Sequence, residues 1–328
     1  MPSLVTAAWA AWRAANVPLA TSFAERDLAA AIVKLGIRVP REARTAETLG
    51  VEREGTGVVI DDAGFILTIG YLLLEAESIL VVAGDGRVLP ASVAGFDHAT
   101  GFGLARTVQP LTSPPLEFGS AADARELNTV VVAAHPAAGG LSAASIVARR
   151  PFTGWWEYAL KSAIFTAPAR DNHSGAALLD TAGRLIGIGS LWVGDAIDRS
   201  VAFPGNMFVP IDLLAPILAD LKTHGRRSGS ARPWLGVYSE ELRGHVVVMQ
   251  VLRDSPAECG GVQRGDIILA IGGLAVGSQS EFYHALWASG AAGVAVTLQV
   301  WRNKSVREIV VRSINRMDYL QPWPASAH

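Results

Sequence analysis

The sequence has a single cysteine, Cys259, among its 328 residues. One cysteine excludes any disulfide within the chain, so packing and hydrogen bonds alone must hold the fold. An isolated cysteine is most often a small buried hydrophobic side chain. We therefore expect Cys259 to lie in a core.

Long apolar runs and an N-terminal basic segment are also missing. No apolar run reaches the ~18 residues that a membrane helix needs, so no transmembrane segment is predicted. The N-terminal stretch has no basic residue ahead of its apolar part, and Arg13 interrupts that part, which makes it a poor secretory signal. A cytoplasmic location is therefore favoured, with the periplasm as the alternative.

Charge is scarce, since charged residues make up 18% of the chain and the net charge is -2. This balance excludes a strongly basic surface and so argues against nucleic acid as a partner. Half of the residues are hydrophobic, which permits a large core. The 33 glycines and 17 prolines indicate many turns, as in all-β architectures.

The chain divides by composition into five segments. Residues 1–28 are predicted as an N-terminal helical extension, whose Trp9 and Trp12 face either the main domain or a partner. The other four segments are a β-rich domain at 29–224, a polar linker at 225–232, a second compact domain at 233–315 and a tail at 316–328.

Within 29–224, short β-type runs alternate with turn signals, which predicts a barrel or a sandwich. Hairpin turns are expected around 62–64 and at Asp85-Gly86. A closing helix is predicted over 211–225, with Gly225 as its stop. Its proposed apolar stripe consists of Leu213, Leu214, Ile217, Leu218 and Leu221.

Five blocks in this order resemble the HtrA/Deg-type serine proteases: GTGVVIDDAGFILT, GDGRVLPASVAGFDHAT, VVVAAHP, NHSGAALLDTAGRLIGI and NMFVPIDLLAPIL. A segment similar to a PDZ domain follows them. The resemblance implies a mainly β fold, with a trypsin-like double β-barrel followed by an α+β PDZ domain.

The PDZ-like segment begins with Trp234, Leu235, Gly236 and Val237. In PDZ domains a loop of this type presents backbone N–H groups to the carboxylate of a peptide C-terminus, and the peptide adds as a strand beside the next β-strand. The resemblance places Ser280 and Tyr283 on the helix that lines this groove. The alternative is a PDZ fold that serves only in packing.

The catalytic pattern of the family is incomplete in this sequence. Ser174 stands at the nucleophile position, but Tyr71 replaces the histidine and Gly101 replaces the aspartate. The nucleophile loop reads N-H-S-G-A, so Asn172 and His173 occupy the oxyanion-hole turn and Ala176 replaces its last glycine. Because a serine needs a base and an orienting acid, the resemblance implies a pseudoprotease with a remnant nucleophile.

The predicted function is therefore that of a binding scaffold, an accessory subunit or an assembly factor for a protein partner or a larger complex, without a cofactor. Two alternatives stay open. One is a serine endopeptidase whose base is His98, His135, His173 or a residue of a neighbouring subunit. The other is a metal-binding protein that uses the loop histidines, although no spacing matches a standard zinc motif and no metal ligand is predicted.

Overall fold

The computed structural model describes Leu28, residues 30–135 and residues 140–320. The predicted N-terminal helix and the end of the tail beyond residue 320 lie outside the described residues. The chain forms two compact units. Unit 1 contains the described residues up to Pro151 and Lys161–Ser228, while unit 2 contains Phe152–Leu160 and the described residues from Gly229 onwards.

Unit 1 holds two closed six-stranded barrels. Strand order in the first barrel is β1-β2-β3-β6-β5-β4. Its strands are β1 (Ile32–Arg38), β2 (Glu52–Val59), β3 (Phe65–Ile69), β4 (Ser78–Val82), β5 (Val88–Phe96) and β6 (Phe102–Thr107). Gly64, at φ +83°, and Gly86, at φ +84°, lie at the two predicted hairpin turns, where glycine adopts the left-handed conformation at no steric cost.

The second barrel has the strand order β10-β11-β12-β9-β8-β7. Its strands are β7 (Thr129–Ala133), β8 (Leu141–Gly154), β9 (Tyr158–Ala167), β10 (Ala177–Leu179), β11 (Leu185–Val193) and β12 (Gly205–Pro210). Side chains from β9 to β12 fill this barrel, and Phe165 and Phe208 are fully buried. The turn between β8 and β9 belongs to unit 2.

Unit 2 is built on one antiparallel sheet with the order β13-β14-β15-β17-β18, and β16 pairs with β15. The strands are β13 (Val237–Leu242), β14 (His245–Val251), β15 (Ile267–Ile271), β16 (Leu274–Ala275), β17 (Ala295–Arg302) and β18 (Ser305–Arg312). The α-helices whose bounds are described are α1 (Ala46–Leu49), α2 (Leu218–His224), α3 (Pro256–Cys259), α4 (Gln279–Ala288) and α5 (Arg316–Tyr319). Phe282, Tyr283 and Leu286 attach α4 to the apolar core of the unit.

The closing helix of unit 1 is shorter than predicted. A 3₁₀ turn covers Ile211–Leu213, and α2 begins only at Leu218. Pro216 explains the difference, because proline has no N–H to donate and disfavours helical backbone at the residue before it. Leu213 is 37% exposed and so leaves the predicted stripe. Gly225 ends the helix at φ +72°, in agreement with the prediction.

The prediction that Cys259 is buried is wrong, because its side chain is exposed. It is the last residue of α3, a helix that buries Pro256 and Ala257 and turns Cys259 towards solvent. In the part of the chain that the structure describes, no helix has the length and apolar character needed to span a membrane.

Candidate catalytic and peptide-binding sites

Ser174 lies in a tight turn just before β10, where the two barrels of unit 1 meet. Its carbonyl accepts a hydrogen bond from the N–H of Thr56 at 2.9 Å, and Gly175 donates to the carbonyl of Gly189 at 2.9 Å. Gly175 has φ +75°, and a Cβ there would lie 2.0 Å from the carbonyl oxygen of Thr56. Glycine is therefore required directly after Ser174, and the turn holds the serine in a fixed position.

Tyr71 reaches Ser174 from the 3₁₀ turn Gly70–Leu72 that follows β3. Its hydroxyl donates to the Oγ of Ser174 at 2.8 Å and to the carbonyl of Ser190 at 2.9 Å. Burial raises the pKa of Tyr71 to about 12, although the hydrogen bond with Ser174 acts in the opposite direction. The group that faces the serine is thus a protonated donor at neutral pH.

Gly101, at the acid position, supplies backbone rather than a carboxylate. Its carbonyl accepts from the N–H of Gly70 at 2.7 Å, and its φ is +84°. The nearby carboxylate of Asp97 is buried and accepts two hydrogen bonds from the guanidinium of Arg227, both at 3.0 Å. It also accepts from the hydroxyl of Thr100 at 2.6 Å. Asp97 is therefore committed to a structural ion pair.

The turn from Asn172 to Ala176 accommodates the two residues that depart from the family pattern, which are Asn172 and Ala176 themselves. Gly175 is the one residue of this stretch that has a positive φ, so Asn172 is not forced into the left-handed region. Ala176 is fully buried, and its N–H donates to the carbonyl of His173 at 3.0 Å. Replacing the family's second glycine therefore leaves the turn closed.

The structure brings one of the three candidate histidines to the serine. His135 and Ser174 line the same cavity of about 230 Å³, together with Lys34, Glu54, Gly55, Thr56, Asp171 and Asn172. Partial burial, assisted by the charge of Lys34, lowers the pKa of His135, which keeps its ring neutral at neutral pH.

The other two histidines have contacts of their own. The Nδ1 of His173 lies 3.0 Å from the carbonyl of Arg170, and burial lowers the His173 pKa. The ring of His98 lies edge-on to Phe96, with centroids 4.6 Å apart. Across the described residues, no three His, Cys, Asp or Glu side chains form a group that could hold a metal ion.

The predicted carboxylate-binding loop of unit 2 holds a carboxylate from its own chain. The Oε1 of Glu157 accepts from the N–H groups of Gly236 at 2.7 Å and Val237 at 3.0 Å. The N–H of Leu235 lies 3.1 Å from Oε2 and 3.2 Å from Oε1. Gly236 has φ +84°, which turns the three donors towards one point. Burial raises the pKa of Glu157 to about 7, against the opposing effect of these three bonds.

Glu157 belongs to the turn between β8 and β9, named here the WWE hairpin and defined as Phe152–Leu160. The N–H of Ser239 in β13 donates to the carbonyl of Trp155 at 3.1 Å. The hydroxyl of Tyr283 in α4 donates to the carbonyl of Gly154 at 2.7 Å and lies 3.2 Å from the N–H of Glu157. The hairpin therefore lies between β13 and α4.

The remaining predicted peptide-site residues differ in their placement. Trp234 pairs with Ile314 through two backbone hydrogen bonds, and its ring lies tilted against that of Tyr319 with centroids 4.8 Å apart, so it anchors the start of the loop. The hydroxyl of Ser280 lies 3.3 Å from the Nδ1 of His284, on α4 itself. Tyr283 contacts the hairpin through its hydroxyl.

Two residues at this site were missed by the sequence analysis. The amide of Gln279 donates to the carbonyl of Ser239 at 2.6 Å, one helical turn before Tyr283, so the spacing of α4 could have indicated it. Glu157 stands about 80 residues before the loop it fills, and no local pattern signals such a contact.

Comparison with known proteins finds two family models that match parts of this chain. A family model for a trypsin-like peptidase domain matches residues 55–188, and one for a PDZ domain matches residues 233–312. A relative from Pseudomonas fluorescens, named "Probable periplasmic serine endoprotease DegP-like", is 28% identical over 82% of this chain and 57% of its own length. The chain thus spans little more than half of that protein.

Two further comparisons agree with this one. The "Serine endoprotease DegS" of Haemophilus influenzae is 27% identical over 69% of this chain and 66% of its own length. The solved structure "HtrA-type protease AlgW with decapeptide" has a TM-score of 0.54 at 21% identity and covers 92% of this chain and 100% of its own, which shows the shared fold.

The names of the relatives overturn one expectation. Several are called periplasmic, so the inference of a cytoplasmic location from the weak signal-like segment is wrong. The expected fold and the resemblance are confirmed. The chain combines a trypsin-like peptidase domain with a PDZ domain, and its relatives are the HtrA/Deg-type serine proteases.

Proposed function

We propose that this chain is a catalytically inactive, protein-binding relative of the HtrA/Deg-type proteases. The observation that carries the proposal is the 2.8 Å hydrogen bond from the Tyr71 hydroxyl to the Oγ of Ser174. A serine nucleophile must give its proton to a base in the transition state. Here the neighbouring group offers a proton to the serine oxygen instead.

The magnitudes favour inactivity. With a pKa of about 12, Tyr71 is a phenolate in roughly one molecule in 10⁵ at pH 7. Gly101 has no side chain that could orient or stabilise a charged base. Loss of triad members in serine proteases leaves a rate only ~10³ to 10⁴ above that of water. The protonated Tyr71 and the missing acid at Gly101 act together in this site, so hydrolysis through Ser174 is expected to be negligible.

The binding function rests on unit 2. Its loop Leu235–Val237 presents three N–H groups to one carboxylate, which is the recognition element for a peptide C-terminus. The strand β13 beside it offers further backbone groups for an added peptide strand. We infer a scaffold, accessory subunit or assembly factor that holds a protein partner in the periplasm.

A direct test compares the wild type with Ser174→Ala in the cleavage of unfolded casein. Neither protein is expected to degrade casein above a no-protein control. Ser174→Ala is the matched control because it removes only the nucleophilic oxygen. Cleavage by the wild type that disappears in Ser174→Ala would contradict the proposal.

The alternative is an endopeptidase that uses His135 as its base. One observation favours it, since His135 and Ser174 line the same cavity and burial lowers the His135 pKa. Casein cleavage that is lost in both Ser174→Ala and His135→Ala, but retained in His98→Ala, would establish this alternative. We expect no difference among these variants.

A further inference from the structure

We propose that the WWE hairpin is a built-in ligand of the PDZ groove, which a partner's C-terminus must displace before it can bind. The inference rests on the proposed function, because it assumes that the groove accepts peptide termini. It adds a regulated state to that function: the WWE hairpin occupies the groove of unit 2 until a partner competes for the loop Leu235–Val237.

The carboxylate of Glu157 already fills the site that a peptide terminus would need. Glu157 is 8% exposed and gives both oxygens to the three donors that a terminal carboxylate would need. Two carboxylates cannot share three N–H groups at these distances, and their like charges would repel in a dry site. Binding of a peptide terminus and of Glu157 is therefore mutually exclusive.

The hairpin also follows the register of an added strand beside β13. Ser239 lies two residues after Val237, and Trp155 lies two residues before Glu157. The bond from Ser239 to Trp155 therefore continues, in the antiparallel direction, the contact between Val237 and Glu157. Residues 155–157 of the hairpin thus occupy the course of an added β-strand.

Release of the hairpin would cost little apolar exposure at its tip. Trp155 is 60% exposed and Trp156 is held through its carbonyl, which accepts from Arg316 at 3.1 Å. Release of the hairpin tip therefore exposes little additional apolar surface at Trp155. Because the hairpin is part of the same chain, its effective concentration at the groove is on the order of millimolar, which weakens any competing peptide.

The test uses the full chain and a fluorescein-labelled peptide of residues 150–157, RPFTGWWE, with a free carboxyl end. Its affinity is measured by anisotropy for the wild type, Glu157→Ala and Glu240→Ala. Glu240 is an exposed carboxylate of β13, so its removal controls for a general change of charge. Binding to Glu157→Ala is expected to be at least tenfold tighter than to the wild type, because the competing carboxylate is gone. Glu240→Ala is expected to match the wild type.

A second variant guards against misfolding of Glu157→Ala. Tyr283→Phe removes the hydroxyl that holds the hairpin and leaves the loop donors intact, so it should also bind more tightly than the wild type. Hydrogen exchange at residues 235–237 supplies an independent readout: these amides should exchange faster in Glu157→Ala and slow down again when the peptide is added.

The outcomes separate the two claims. Equal affinity of the wild type, Glu157→Ala and Tyr283→Phe would overturn the built-in ligand and leave the peptide groove standing. No peptide binding by any folded variant would overturn the peptide groove itself, and the built-in ligand with it.

Discussion

The hydroxyl of Tyr71 lies 2.8 Å from the Oγ of Ser174 and 2.9 Å from the carbonyl oxygen of Ser190. One phenolic proton is thus shared between two acceptors. In place of a base that removes a proton from the serine, the site has an acid that is already bound to it. Under the proposed function, this interaction stabilises the turn and does not generate a serine alkoxide.

A double-mutant cycle measures this interaction. Tyr71→Phe and Ser174→Ala each remove one partner, and the double variant removes both. The coupling energy between the two positions is expected to be about 1 kcal/mol, the usual net value of such a hydrogen bond. Free energies of unfolding from urea titrations supply the four values. Effects that simply add would show that the two hydroxyls do not interact.

Substitution of Gly101 tests whether the backbone conformation, rather than a side chain, is what this position contributes. Its φ of +84° disfavours a side chain, so Gly101→Ala should lower the free energy of unfolding by about 1–2 kcal/mol. Gly36→Ala is the matched control, since a Cβ there would meet only the carbonyl oxygen of Leu80 at 3.9 Å. The control should change stability by less than about 0.5 kcal/mol. Equal effects at both positions would refute the argument.

Glu157 should make stability depend on pH. Burial raises its pKa to about 7 in the folded protein, and the ordinary value of 4.5 applies when the chain unfolds. The folded state then binds the proton more tightly, so the stabilisation is complete below pH 4.5 and is lost as the pH rises to 7. Arg316 opposes this effect by favouring the carboxylate.

The comparison needed is with Glu157→Gln, which stays neutral at every pH. The stability of the wild type minus that of the variant should fall by up to about 3 kcal/mol between pH 4.5 and 7. Urea titrations across this range measure the difference. A difference that rises with pH would mean that the three loop N–H groups favour the charged carboxylate more than burial disfavours it.

Cys259 should react with a thiol reagent such as DTNB in the native protein, because its side chain is exposed at the end of α3. One thiol per chain is expected to react at the rate of a small free thiol, without denaturant. Cys259→Ser should abolish the reaction and leave stability within about 0.5 kcal/mol. Reaction only after unfolding would show that the Cys259 side chain is buried in the native protein.

The sequence predicted the local features of this fold well. Turn residues such as Gly64 and Gly86 fixed the hairpins, and the order of the motif blocks indicated the barrels and the PDZ domain. Ser174, Tyr71 and Gly101 were assigned because they stand at positions of a known pattern. The helix over 211–225 was overextended because its apolar spacing was given more weight than Pro216.

The contact between Glu157 and the loop at Leu235 lay beyond sequence reasoning. It joins residues about 80 positions apart, and its strength comes from burial and from three converging N–H groups that only the folded backbone creates. Likewise, the pairing of Asp97 with Arg227 turns a residue of the assumed linker into part of unit 1. Both cases depend on tertiary geometry rather than on local pattern.

The central claim is that Ser174 is not an activated nucleophile. The most direct measurement is the rate at which a fluorophosphonate probe labels the wild-type chain, with Ser174→Ala as the control. The account predicts no labelling above the control at neutral pH. Rapid labelling that depends on Ser174 would contradict it, because a working base would then have to be present.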